Sequence, residues 1–159
     1  MRKVTALSIA LSLTFSLTAC AAGKTAPTAH VKEVTDGVEG SILTGGNDVR
    51  VSGLLLVAQP DGSAVLVGSM VNGADTPEDL LAVAAGEVVG VLSATTLPML
   101  QNKPLYFAGD SANAKVIFPT ITAKPGERVK VKLFFSHAGE LDLDALVREQ
   151  DGIYAGVTA

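Results

Sequence analysis

The chain has one cysteine in 159 residues, no tryptophan, two tyrosines and five phenylalanines. With Cys20 alone, no internal disulfide can form, so packing must hold whatever folds. The scarcity of aromatics leaves Val, Leu, Ile and Ala to fill the core. Positive charge is also short: 12 Lys and Arg face 16 Asp and Glu, for a net charge of −4. No basic patch is present to neutralise phosphates, which excludes nucleic acid as a partner and polybasic attraction to anionic lipid. No glycine loop precedes a helix in the way phosphate binding needs. Gly109-Asp110-Ser111 echoes the surroundings of serine nucleophiles, but a nucleophile also needs a base and an oxyanion hole. The only histidines are His30 and His137, and no Gly-x-Ser-x-Gly elbow exists, so a hydrolase using Ser111 is the least favoured reading. Asp75, Glu78 and Asp79 cluster but miss EF-hand spacing, and they read as a solvated acidic turn.

What is present begins with a leader. Arg2 and Lys3 precede an uncharged stretch, Ala6 to Ala19. A spanning helix needs about 20 apolar residues, so this stretch fits a secretory h-region instead. Leu17-Thr18-Ala19-Cys20 resembles the lipobox of bacterial lipoproteins. The resemblance implies cleavage before Cys20, acylation of its thiol and an anchor on the extracytoplasmic face of the cell membrane. Two or more acyl chains hold stably, at about 0.8 kcal/mol per buried CH₂. An ordinary signal peptide cut near Ala19 or Ala22 is the competing reading. Without Arg2 and Lys3, 10 basic residues face 16 acidic ones, so the mature chain is near −6.

Residues 20–46 are rich in Ala, Gly and Thr and lack apolar period, which reads as a lipid-anchored flexible tether. His30 lies in it as a solvated residue, and the run Asp36 to Ile42 is placed to touch the domain edge. The folded body is expected over 47–150. Val49 to Val57 predicts a strand exposed at its start and buried on both faces later. Gln59-Pro60-Asp61-Gly62 is a turn, with Ala64 to Val71 as the hairpin partner. Thr76-Pro77-Glu78-Asp79 looks like a helix start, yet the apolar run after it is too short for a helix. A turn or single helical turn before a short strand is expected there. Glu87 to Leu92 reads as a strand and Ser93 to Lys103 as irregular. Leu105 to Phe107 and Lys115 to Phe118 read as further short strands.

The strongest period-two signal follows Lys124-Pro125-Gly126. Val129, Val131, Leu133 and Phe135 point one way, and Arg128, Lys130 and Lys132 the other. Leu141, Leu143, Ala145 and Val147 then alternate with acids, so a hairpin sets a basic row beside an acidic one. Residues 151–159 form a short tail expected to fray, with Tyr154 able to pack back. Seven or eight short strands in this length predict an all-β, antiparallel β-sandwich of the immunoglobulin or cupredoxin type.

Four segments together carry a family resemblance: VRVSGLLLVAQPDG, AVLVGSMVNGADTPEDLLAV, PGERVKVKLFF and LDLDALV. They resemble the actinobacterial cell-envelope lipoproteins grouped around LpqE, which are distantly similar to the periplasmic PCu(A)C copper chaperones. That resemblance implies a cupredoxin-like sandwich over roughly 47–150. The chaperones hold Cu(I) with two Met and two His, the last pair as His-x-Met. The first ligand position falls near Val91-Leu92-Ser93, and the His-x-Met position near Asn113 to Lys115, which reads Asn-Ala-Lys. Cu(I) needs several soft donors, and only Met99 lies where one of the methionines would be.

The remaining metal candidates are Met70, read as a core gap-filler, Met99, read as an exposed apolar contact or residual ligand, and His137, read as a turn residue. The favoured expectation is a membrane-anchored, non-enzymatic lipoprotein with no cofactor, binding another envelope protein or a small ligand through Ser93–Lys103 and neighbouring loops. The alternative is a divergent copper-binding chaperone retaining metal through Met99, Met70 and His137.

Overall fold

The computed structural model describes residues 36–159. Leu17, Thr18, Ala19, Cys20 and His30, with the leader and most of the tether, lie outside the described residues. All eleven strands of the described body join one sheet, and no α-helix occurs among these residues.

The strands form where period two is cleanest. β10 (Arg128–Phe135) and β11 (Glu140–Glu149) pair antiparallel, with Lys130 opposite Asp144 and Lys132 opposite Asp142. The expected charge rows therefore meet. Lys132 Nζ lies 2.5 Å from Glu140 and 3.6 Å from Asp142, and Lys130 Nζ lies 3.6 Å from Asp144. Such exposed pairs contribute about 0.2–1 kcal/mol each. The other face of the hairpin buries Val131, Leu133 and Phe135 beside Leu143, Ala145 and Val147.

β2 (Val49–Ala58) and β3 (Ala64–Asn72) form the second hairpin. Gly62 closes its turn at φ +87°, and its N–H donates to Gln59 O at 3.0 Å. β2 lies parallel to β11, Leu55 opposite Leu146, so one pair departs from the expected all-antiparallel order. As the run of Leu54 to Val57 implied, β2 is buried on both faces there. Leu54 and Leu56 enter the main core with Leu66, Met70, Leu80, Val83, Phe107, Phe118 and Leu133. Leu55, Val57 and Val65 are 2%, 0% and 1% exposed without belonging to that core.

Besides Glu87 to Leu92, read as one strand and split here into two, three segments differ from the sequence expectation. The body starts before 47: β1 (Val38–Ile42) pairs with β2, Ser41 opposite Arg50, inside the stretch read as tether. Its period was hidden because the middle inward position is Gly40, where a Cβ would sit 2.6 Å from Leu143 Cδ2. Gly37, just before it, approaches so closely that a Cβ would lie 2.2 Å from the Gly53 carbonyl carbon. The second difference is the start of β4 (Glu78–Ala85): the strand expected after a turn or helical turn already begins at Glu78, beside β10. The third is β7 (Leu97–Met99), which pairs with β4 inside the stretch read as irregular.

Closure comes from one short segment. β5 (Val88–Val89) pairs with β4, while β6 (Val91–Leu92) pairs with β9 (Val116–Phe118). These two ladders lie at opposite ends of the strand order, so residues 88–92 join the ends and curl the sheet toward a barrel. Gly90 stands at the switch, its N–H donating to Val83 O at 2.8 Å. A Cβ there would meet Val116 Cγ1 at 2.7 Å and Phe118 Cε1 at 3.0 Å. β8 (Leu105–Tyr106) completes the edge of β3.

Tyr154 packs back from the tail, as the sequence allowed. The tail forms a 3-10 turn, Gly152–Tyr154, and folds back. Arg148 sits 6.0 Å over the Tyr154 ring and 3.4 Å from Asp36. Burial, and then the Asp36 carboxylate, push the Tyr154 phenol above its ordinary pKa.

Candidate ligand site

The two positions that the chaperone resemblance marked for metal meet in space. Because β6 runs antiparallel to β9, Ser93 arrives opposite Lys115. Ser93 N–H donates to Lys115 O at 2.9 Å, and Lys115 N–H donates to Ser93 Oγ at 3.1 Å. Asn113 adjoins them. Its Oδ1 accepts from Tyr106 N–H at 2.8 Å, and its Nδ2 donates to Pro104 O at 3.0 Å. The Lys115 ammonium donates to Thr158 O at 2.9 Å.

This donor set does not fit Cu(I). A hydroxyl and an amide are hard donors already used within the fold, and an ammonium repels a cation. Among the described residues, no three His, Cys, Asp or Glu side chains are placed to share a metal ion.

The other metal candidates separate by burial. Met70 is 1% exposed and packs in the core as expected. Met99 is 0% exposed, so its reading as an exposed contact is corrected: β7 turns it into the core opposite Glu78. His137 lies in the β10–β11 turn with its side chain 59% exposed. Two solvent-excluded thioethers and an exposed imidazole do not form one open ligand set. Ser111 is exposed on the loop after β8. The His137 ring faces Ser136 Oγ at 2.9 Å and Glu78 at 3.5 Å, so the base that Ser111 would need is engaged elsewhere.

Glu78 is the residue that sequence reasoning most misjudged. It is 3% exposed and not part of a solvated turn. Its Oε1 accepts from Ser136 Oγ, from His137 N–H at 2.9 Å and from Asp79 N–H at 3.0 Å. Its Oε2 accepts from Ala138 N–H at 2.7 Å. Burial alone would raise its pKa, but those bonds from Ser136, His137, Asp79 and Ala138 outweigh it and bring the carboxyl down to about 2. The carboxylate thus ties the β10–β11 turn to the start of β4. No local pattern announces this, because three of its four partners, all but Asp79, are some 58 to 60 residues away.

Sequence reasoning also missed a groove on the outer face of β3. Residues Gly156 and Val157 divide two clefts, of about 170 Å³ and about 500 Å³. Val65, Phe107 and Ala114 line the smaller, Val67, Asp110 and Tyr154 the larger, and both share Ala108 and Gly109.

No protein-family model matches this chain, and no curated protein does. Solved structures do. An apo PCuAC domain from PmoF1 superposes with a TM-score of 0.59 at 22% identity, over 70% of this chain and 98% of that one. A copper-bound PCuAC domain from PmoF2 superposes with a TM-score of 0.59 at 21% identity, over 70% and 97%. The apo PmoF2 domain gives 0.55 at 20% identity, over 74% and 98%. Those superpositions establish the architecture: the body of this chain has the cupredoxin-like fold of PCuAC domains.

Proposed function

We propose that this chain is a non-catalytic binding domain on a PCuAC-type fold, held at the extracytoplasmic face of the cell membrane by lipid on Cys20. Its ligand is another envelope protein or a small molecule, not nucleic acid. The observation that carries this is the Ser93–Lys115 pair: a hydroxyl and an ammonium stand where the chaperone resemblance requires soft metal ligands. A Cu(I) titration of the mature protein against a chelator tests it. The expected result is no stoichiometric tight binding.

The anchor rests on Leu17-Thr18-Ala19-Cys20 and is tested separately. The native protein is expected to partition into detergent phase, and Cys20→Ala to move it to the aqueous phase. A Cys20→Ala protein that stays with membranes overturns the anchor and leaves the binding reading standing.

The likeness to a copper-bound PCuAC domain supports a second reading, copper carriage by a divergent site drawing on Met99, Met70 and His137, which would have to come together from their separate places in this structure. Tight 1:1 Cu(I) binding that is lost in Met99→Leu with stability intact would establish it and displace the first.

A further inference from the structure

The two edges of β2 are used differently. β3 covers one edge along Val49–Ala58. Two strands share the other: β11 takes Leu55–Ala58, and β1 takes Val49–Leu54. Among the described residues β1 joins no second ladder, so the backbone groups on its outer edge meet no strand.

The pattern of β1, Val38-Glu39-Gly40-Ser41-Ile42, reads alike in both directions. Val38 and Ile42 are half-buried against the core, with Gly40 between them, and Glu39 and Ser41 are exposed. An antiparallel copy centred on Gly40 sets Val38 opposite Ile42 and Glu39 opposite Ser41. Apolar then meets apolar, and each carboxylate meets a hydroxyl. Centring on Glu39 instead would place two carboxylates face to face, which is destabilising. The strand carries no Pro, no Lys and no inward charge, the devices that keep most edges from pairing.

We propose that β1 is a dimerisation edge: two copies of this chain pair their β1 strands antiparallel about Gly40 and join their sheets. The proposal rests on the reading of the domain as a binding module and names a second copy as its envelope partner. Besides the charge match, the place where the chain enters β1 favours that occupant. Asp36 lies two residues before β1, and Cys20 lies sixteen positions before Asp36. A lipid on Cys20 thus keeps this edge within about 55 Å of the membrane, at full extension of the intervening chain. Anchored copies meet at a higher effective concentration than free ones. That gain matters, because a five-residue strand buries less than the roughly 800 Å² per partner of a standard interface. The pairing is therefore weak between free copies and populated between anchored ones.

The test is disulfide capture in intact cells that make two versions of the full chain, Glu39→Cys and Ser41→Cys. Both side chains are exposed, so neither substitution disturbs the core. Opposite residues of an antiparallel pair bring their Cβ atoms to about 4.5–5.5 Å, close to disulfide reach, whereas like positions stand on the diagonal at about 7–8 Å. Mild oxidation with diamide is expected to give a covalent dimer from the mixed cells at about five-fold or more the yield from either variant alone. Asp144→Cys mixed with Glu39→Cys reports random collision, and the native chain reports any background from Cys20. A mixed yield no higher than that of the single variants overturns the proposal, and so does an equal yield from the Asp144→Cys mixture. Tight Cu(I) binding by the native chain would sink the parent reading and leave the capture result standing.

Discussion

Ser93 and Lys115 are bonded to each other twice through the β6–β9 ladder, N–H to carbonyl at 2.9 Å and N–H to hydroxyl at 3.1 Å. Two positions 22 residues apart are thereby locked side by side, with Asn113 adjoining. The two positions that the resemblance marks for metal thus lie side by side, and neither carries a soft donor. Replacing Ser93 with His, Asn113 with His and Lys115 with Met supplies soft and borderline donors at one place. The triple variant is expected to gain Cu(I) affinity by at least about ten-fold over the native chain, read by chelator competition. A variant that folds and gains nothing would show that the resemblance misplaces these positions.

Met99 separates a core role from a ligand role. Being 0% exposed, it should behave as packing. Met99→Leu is expected to cost less than about 1.5 kcal/mol, and Met99→Ala about 2–5 kcal/mol, measured by urea unfolding. Loss of copper binding in Met99→Leu with stability intact would contradict that assignment.

Glu78 makes acid stability predictable. Its carboxyl sits at about 2 in the folded state against an ordinary 4.5. The folded pKa is depressed, so its contribution is complete above the unfolded value and is lost as pH falls from about 4.5 toward 2. A shift of this size corresponds to roughly 3 kcal/mol. Glu78→Gln leaves a side-chain N–H facing a backbone donor and should destabilise by about 1–3 kcal/mol at neutral pH. Denaturant midpoints of the variant should fall less steeply than the native ones in that acid window.

Gly90 is the tightest point of the closure. With a Cβ meeting Val116 Cγ1 at 2.7 Å, Gly90→Ala must push β6 away from β9 or distort the core. We expect a loss of about 1–3 kcal/mol. Hydrogen exchange should report faster opening at residues 91–93 and 115–117 than in β10 and β11, which lie elsewhere in the sheet.

Where each side chain's role depended on near neighbours, the sequence was readable. The β10–β11 hairpin, its turn and its charge rows follow from alternation within Arg128–Glu149, and the structure pairs them as expected. The double burial of β2 was legible as an unbroken apolar run. β1 was not, because inward Gly40 breaks the alternation. The start of β4 was not, because the local helix signal of Thr76-Pro77-Glu78-Asp79 is outcompeted by bonds from Ser136, His137 and Ala138, and those partners come only with the fold.

By itself, then, the sequence determined the all-β character, the facing charge rows of its best hairpin and the hard donors standing at Asn113 and Lys115. These depend on composition and on a two-residue period, both of which are local. Tertiary structure alone decided that Gly90 closes the sheet, that Glu78 is buried and charged, that Met99 faces inward, and that residues 155–158 fill a groove on β3. Each of those follows from contacts between segments far apart in the chain, and no local pattern encodes which distant backbone will supply the partner.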